Sequence, residues 1–154
     1  EIKKLLPMAE ELKVIIAIEN VGNRFLMSPL EFAKYVDDFN SPWVKAYFDV
    51  GNVVRNGFPP DWIRTLGDRL VKVHIKRFEP GREYPAFDPE DRRTEGIDWA
   101  DVRQALNDVE YKGWVSAEVR GGDLAYLKEL SGRIDKIFAG ENPVPPEETA
   151  KPNA

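Results

Sequence analysis

Four short runs of apolar, β-branched and aromatic residues recur along the chain, at Val14–Ile18, Val44–Phe48, Leu70–Ile75 and Trp114–Val119, and each predicts a strand. Their apolar character is nearly continuous rather than alternating. That predicts strands covered on both faces, as in a parallel sheet packed by helices. Between the runs the apolar spacing becomes helical. Leu5, Leu6, Ala9 and Leu12 repeat in this way among charged residues, in a helix that starts at residue 1 without a cap, as expected of a chain that begins within an element. Ser28 and Glu31 frame a capping box ahead of Phe32, Tyr35 and Val36, with Pro29 at the first helical position. Pro60 and Asp61 open a shorter helix carrying Trp62, Ile63 and Leu66. Asp98 precedes a helix carrying Trp99, Val102, Leu106 and Val109, with Gly113 as its stop signal, and Leu124, Leu127 and Leu130 mark the last helix.

Strands thus alternate with helices at the unit length of βα repeats, which predicts an α/β chain supplying four βα units, half of a (β/α)8 barrel of the TIM type. A four-stranded parallel sheet of this kind has two raw edges that are costly to leave unpaired. An N-terminal half-barrel on another polypeptide segment, or a second copy of the chain, is therefore expected to complete it, unless the sheet is a small open one. Residues 1–140 form the predicted half-barrel. Residues 141–154, with four prolines and no aromatic residue, read as a disordered tail.

Composition narrows the function. The 154 residues are 42% hydrophobic, enough for a core of moderate size. Twenty-two basic residues against 27 acidic ones leave a net charge of -5, so no basic field attracts a phosphate backbone and nucleic acid is a poor partner. No apolar run reaches the roughly 18–20 residues that cross a bilayer, so no membrane partner is expected. The chain has no cysteine, which fits a reducing, cytoplasmic setting and leaves only His, Asp and Glu as metal ligands.

The chemistry gathers where the strands end. Glu19 follows the first run, Asp49 the second, Glu118 lies at the end of the fourth, and His74, the only histidine, lies at the end of the third. Singly, an acidic residue at a strand end is usually a helix cap or a solvated charge, and a histidine between Val73 and Ile75 can be a satisfied core residue. Their coincidence on all four strands argues for a shared site, because strand ends converge on one face of a barrel. Three carboxylates and one imidazole suit one divalent metal ion: Mn, Mg, Co or Zn.

The segments IENVGNRF, YFDVGNVVRNG, LVKVHIKR, EGIDWADVRQAL and GWVSAEV, in this order and spacing, resemble the second half of the xylose isomerase-like TIM barrel superfamily, in its sugar isomerase and epimerase branch, over about residues 10 to 139. The resemblance implies that Glu19, Asp49, His74 and Glu118 ligate the metal and that Glu19 and Glu118 are also the catalytic acid and base. It places the basic residue after the family's histidine at Arg77 or Arg82, as a substrate-binding group, with a sugar or sugar phosphate as substrate. Where ketose 3-epimerases of this branch carry a histidine three residues after the aspartate, this chain has Asn52, which can hydrogen-bond a substrate hydroxyl but cannot carry a proton. Leu26 stands where those enzymes have an acidic residue. A DNA repair endonuclease of the superfamily builds a three-zinc cluster from several histidines, which one histidine cannot supply.

The chemistry implied is a metal-dependent isomerase or epimerase that moves a proton beside a carbonyl through an enediolate. A dehydratase of the inosose type would use the same site, and a non-catalytic half-barrel module that dimerises through its open edges is the reading from another class. The four tryptophans read as packing groups, the long segment 77–96 as a lid, and Gly121-Gly122 as a weak phosphate-approach signal.

Overall fold

The computed structural model describes residues 1–54, 57–76, 97–118 and 121–140. Arg77, Arg82, the expected lid over 77–96 and the expected tail over 141–154 lie outside the described residues. Four strands, β1 (Ile16–Glu19), β2 (Val44–Asp49), β3 (Leu70–Ile75) and β4 (Trp114–Ala117), form one parallel sheet in the order β1-β2-β3-β4. Helices α1 (Ile2–Leu12), α2 (Pro29–Asp37), α3 (Val50–Val53), α4 (Pro59–Leu66), α5 (Trp99–Asp108) and α6 (Leu124–Ala139) precede, connect and follow them. None of the described helices is long and apolar enough to cross a membrane.

Most of the helix starts are set by side chains that take up backbone N–H groups otherwise left unpaired in the first turn, whereas α1 and α4 have no such cap. Ser28 accepts from Leu30 N ahead of α2, Asp98 from Ala100 N and Asp101 N ahead of α5, and Asp123 from Tyr126 N ahead of α6. The stop of α5 differs from the sequence reading. Glu110 adopts the left-handed conformation (φ 52°), and Tyr111 N reaches back to Leu106 O at 2.9 Å, so the chain turns three residues before Gly113. Gly113 serves another end: a Cβ there would collide with the Tyr111 ring and hydroxyl, which cross it to reach the Trp114 carbonyl at 2.7 Å.

The two faces of the sheet differ sharply. Toward the helices, Ala46, Phe48, Val73 and Ile75 are fully buried and pack with Phe32, Ile63, Leu66, Val102 and Ala105. Phe48 stacks on Trp62 (centroids 5.9 Å apart, planes at 19°), and Phe32 lies 6.0 Å from the same indole. Each of the Val, Ile, Leu and Phe side chains among them contributes about 1.5–3 kcal/mol through burial alone, so the helix-covered face supplies most of the packing stability. The opposite face is polar, carrying Lys45, Tyr47, Asp49, Lys72, His74 and Ser116. Trp62 bears out the packing reading of the tryptophans, but Trp114, on the edge strand β4, is 84% exposed and does not.

Candidate metal centre

The polar face carries one ligand-type side chain at the end of each strand. Glu19 closes β1, Asp49 closes β2, His74 is the penultimate residue of β3, and Glu118 follows β4, its N–H still bonded to Ile75 O at 3.0 Å. Strand register explains how they meet. Asp49 pairs directly with His74, whereas Glu19 is level with Tyr47, two residues before Asp49, and Glu118 lies two beyond Ser116, the partner of His74. The two residues farthest from the central level are glutamates, whose extra methylene spans the stagger. One ligand atom from each of the four lies within 4.8 Å of every other. His74 Nδ1 is 3.2 Å from Glu19 Oε1, 3.5 Å from Asp49 Oδ2 and 3.9 Å from Glu118 Oε2.

Asp49 is the best-anchored of the four. It is fully buried, and its Oδ1 accepts from Asn52 N at 2.8 Å in the first turn of α3. Its backbone is held by Asn20, whose Oδ1 accepts from Asp49 N (2.7 Å) and whose Nδ2 donates to Asp49 O (2.9 Å). The Asn20 side chain therefore continues the β1 ladder beyond the point where β1 ends. Asn52 Nδ2 in turn donates to Asn20 O at 2.9 Å. Asp49 Oδ2 is left buried without a hydrogen bond, directed at the cluster. His74 is backed by the Tyr47 ring, 5.2 Å away between centroids, and the Tyr47 hydroxyl is hydrogen-bonded to Ser116 at 2.9 Å.

A residue that sequence reasoning did not single out stands among these four. Lys76 Nζ is 2.5 Å from Glu118 Oε2, and it forms an ion pair with Asp49 Oδ2 at 3.0 Å without hydrogen-bond alignment. The signal that could have found it is its place two residues after His74, on the same side of the chain. The consequences appear in the acidities. Burial pushes the Asp49 carboxyl above the ordinary range, with Lys76 and the Asn52 N–H pulling the other way. The hydrogen bond from Lys76 holds Glu118 below its ordinary value against the opposing effect of burial. Burial pulls the Lys76 ammonium down, but Glu118 and Asp49 together outweigh it and the net shift is upward.

The donor set fits one divalent ion. Atoms about 2.0–2.3 Å from a common ion lie about 3–4.5 Å from one another, close to the spread found here. A buried carboxylate oxygen with no hydrogen-bond donor is the atom an ion would satisfy. Oxygen-rich coordination with one imidazole suits Mn, Mg, Co or Zn. A cavity of about 300 Å³ is lined by Asn20, Arg24, Leu26, Asn52 and Trp62 among others, with none of the four ligand-type side chains in its wall. Of the expected substrate contacts, Asn52 therefore lines this cavity, and Gly121-Gly122 lies outside its lining.

A parallel βα sheet with a ligand-type residue at each strand end and a largely polar open face is consistent with part of an α/β barrel. The chain belongs to the xylose isomerase-like TIM barrel family, which it matches over residues 1–137. It is 30% identical over 120 residues to the D-psicose 3-epimerase of Enterocloster bolteae, a match covering 73% of this chain and 36% of that protein. It is 27% identical over 104 residues to an Escherichia coli K12 protein assigned as an L-ribulose-5-phosphate 3-epimerase, SgbU, covering 66% of this chain and 36% of that one. Among solved structures, a D-psicose 3-epimerase shares the fold with a TM-score of 0.65 at 24% identity, over 89% of this chain and 54% of its own. A D-tagatose 3-epimerase-like protein does so with a TM-score of 0.69 at 20% identity, over 90% of this chain and 53% of its own. The chain thus spans about half the length of these folds.

Proposed function

We propose that this chain is the metal-bearing C-terminal half of a sugar or sugar-phosphate epimerase or isomerase that depends on one divalent ion. The observation that carries the reading is the meeting of Glu19, Asp49, His74 and Glu118, one from each strand end, within 4.8 Å, around a buried Asp49 oxygen that lacks a hydrogen bond. The similarity to sugar 3-epimerases supplies the substrate class.

These four residues would hold the ion, which when bound supplies an electrophile for a carbonyl and its neighbouring hydroxyl. The protein's own groups do the rest. Glu19 and Glu118 come from the two outer strands and so approach a substrate from opposite sides. One, as carboxylate, would take up the proton from the carbon next to the carbonyl, and the other, as carboxylic acid, would deliver its own proton to the opposite face in an epimerase or to the adjacent carbon in an isomerase, the two protonation states being reset through solvent. Before an ion binds, the hydrogen bond from Lys76 favours the carboxylate form of Glu118. Asn52, on the cavity wall, offers an amide to a substrate hydroxyl.

Solvent exchange tests the reading directly. The intact protein, loaded with Mn²⁺ and incubated in D₂O with a panel of ketoses, ketose phosphates and hydroxypyruvate, is expected to place deuterium on the carbon beside the carbonyl. EDTA treatment abolishes the exchange and Mn²⁺ restores it. A metal-loaded protein that exchanges no C–H proton across the panel would sink the proposal, and release of water from an inosose would replace it with dehydration.

A further inference from the structure

Three carboxylates converging within 4.8 Å repel one another, and one of them, Asp49, is fully buried away from screening water. The structure answers that repulsion with Lys76. Its ammonium sits between Glu118 Oε2 (2.5 Å) and Asp49 Oδ2 (3.0 Å), and its side chain is only 16% exposed. The position is prepared in α3, directly after the neighbouring strand β2. A Cβ on Gly51 would lie 2.6 Å from Lys76 Cγ and 2.8 Å from Lys76 O, so only a glycine at 51 lets the lysine stem pass.

We propose that Lys76 is a positioning residue of the metal centre: a built-in counter-ion that holds Glu118 and Asp49 together before the ion arrives and yields those oxygens to it. The proposal rests on the metal reading above. Its physical basis is competition for the same lone pairs. An oxygen held against an ammonium, by a hydrogen bond at 2.5 Å for Glu118 or an ion pair at 3.0 Å for Asp49, cannot at the same time keep that geometry and ligate an ion at about 2.1 Å. If the lysine stays nearby after the ion binds, charges of +2 and +1 about 5 Å apart still repel. Even at the dielectric of bulk water, that repulsion weakens binding about tenfold. Lys76 thus sets the affinity of the centre from within, at the expense of tightness, and keeps the ligand set assembled when no ion is bound.

The test has two readouts that move in opposite directions. In the intact protein stripped with EDTA, Lys76→Met should lower the melting temperature of the metal-free form. The same substitution should tighten Mn²⁺, titrated calorimetrically at low ionic strength, by about tenfold or more. Lys76→Arg, which keeps the charge, should return the Kd toward that of the unsubstituted protein. Lys76→Gln, nearly isosteric and neutral, provides the same affinity test if the methionine variant does not fold. A lysine with a merely structural role would lower both stability and affinity. Mn²⁺ affinity unchanged or weakened in Lys76→Met and Lys76→Gln, with the unsubstituted protein binding normally, overturns the proposal alone. An unsubstituted protein that takes up no Mn²⁺, Mg²⁺, Co²⁺ or Zn²⁺ removes the metal reading and this proposal together.

Discussion

Replacing Asn20 with alanine tests the idea that a side chain, and not a strand, holds Asp49 in place. The substitution removes two hydrogen bonds, at 2.7 and 2.9 Å, from the backbone N–H and C=O of a residue with no exposed surface. A neutral hydrogen bond contributes about 1 kcal/mol net, and a buried group left without a partner costs about 1–3 kcal/mol. Asn20 is itself 5% exposed, and the space vacated by its amide admits at most limited water. The expected loss is therefore about 2–4 kcal/mol, read by urea denaturation of the metal-free protein. Asn52→Ala is the internal control, because it removes a single bond from a half-buried group and should cost about 0.5–1.5 kcal/mol. Mn²⁺ affinity should fall in Asn20→Ala as well, since the carboxylate it anchors is a proposed ligand. A loss below about 0.5 kcal/mol, or one no larger than that of Asn52→Ala, would refute the anchoring argument.

Other predictions follow from single contacts. Gly51→Ala drives a methyl into the Lys76 stem and backbone and should destabilise the protein by about 1–3 kcal/mol by thermal unfolding, with Lys76→Gly in the same background recovering only the side-chain part. The Tyr111 phenol, pushed up to about 12 by burial, should be absent from the ordinary tyrosinate step. Its ionisation should appear as a late rise in ultraviolet absorbance that Tyr111→Phe removes. Because the folded value lies above the unfolded one of about 10, this group's contribution is intact below that pH and is lost as pH climbs through about 12. Arg69 grips Asp37 with two bonds at 2.7 and 2.8 Å, and that hydrogen bonding holds the Asp37 carboxyl below its ordinary value against the opposing effect of burial. A depressed carboxylate stabilises only while ionised. The difference between the protein and Arg69→Met should therefore be at most about 1 kcal/mol near neutrality and should vanish as pH falls below the carboxylate range. A difference that persists in acid would assign the effect to packing of the arginine stem.

Much of the fold was legible because the helix-side faces of the strands are uniformly apolar. The run Leu70–Ile75 coincides with β3. The first run was read two residues early: Val14 and Ile15 are apolar but 56% and 44% exposed, and pairing begins at Ile16, whose N–H reaches Trp43 O at 2.8 Å. Hydrophobicity alone does not mark where a ladder starts. The four ligand-type residues were legible because strand ends in a barrel share one face. Lys76 was not, because a lysine just past a strand is ordinarily solvated, and only the cluster of carboxylates keeps this one inside. Asn20 was hidden for a related reason: no sequence pattern separates an asparagine in a turn from one whose amide imitates a strand.

The two-residue alternation of the polar face also governs where the gene can tolerate insertion. One residue added inside β3, at the Lys72–Val73 junction, would shift the spatial reading frame of everything after it. His74 and Lys76 would turn into the helix layer, and Val73 and Ile75 would replace them among the carboxylates. One residue added between α2 and β2, around Asn40–Pro42, would leave every pairing partner unchanged. Length variants of this protein should therefore accumulate in its connections and be absent from its strands, even at strand positions where any single substitution is harmless.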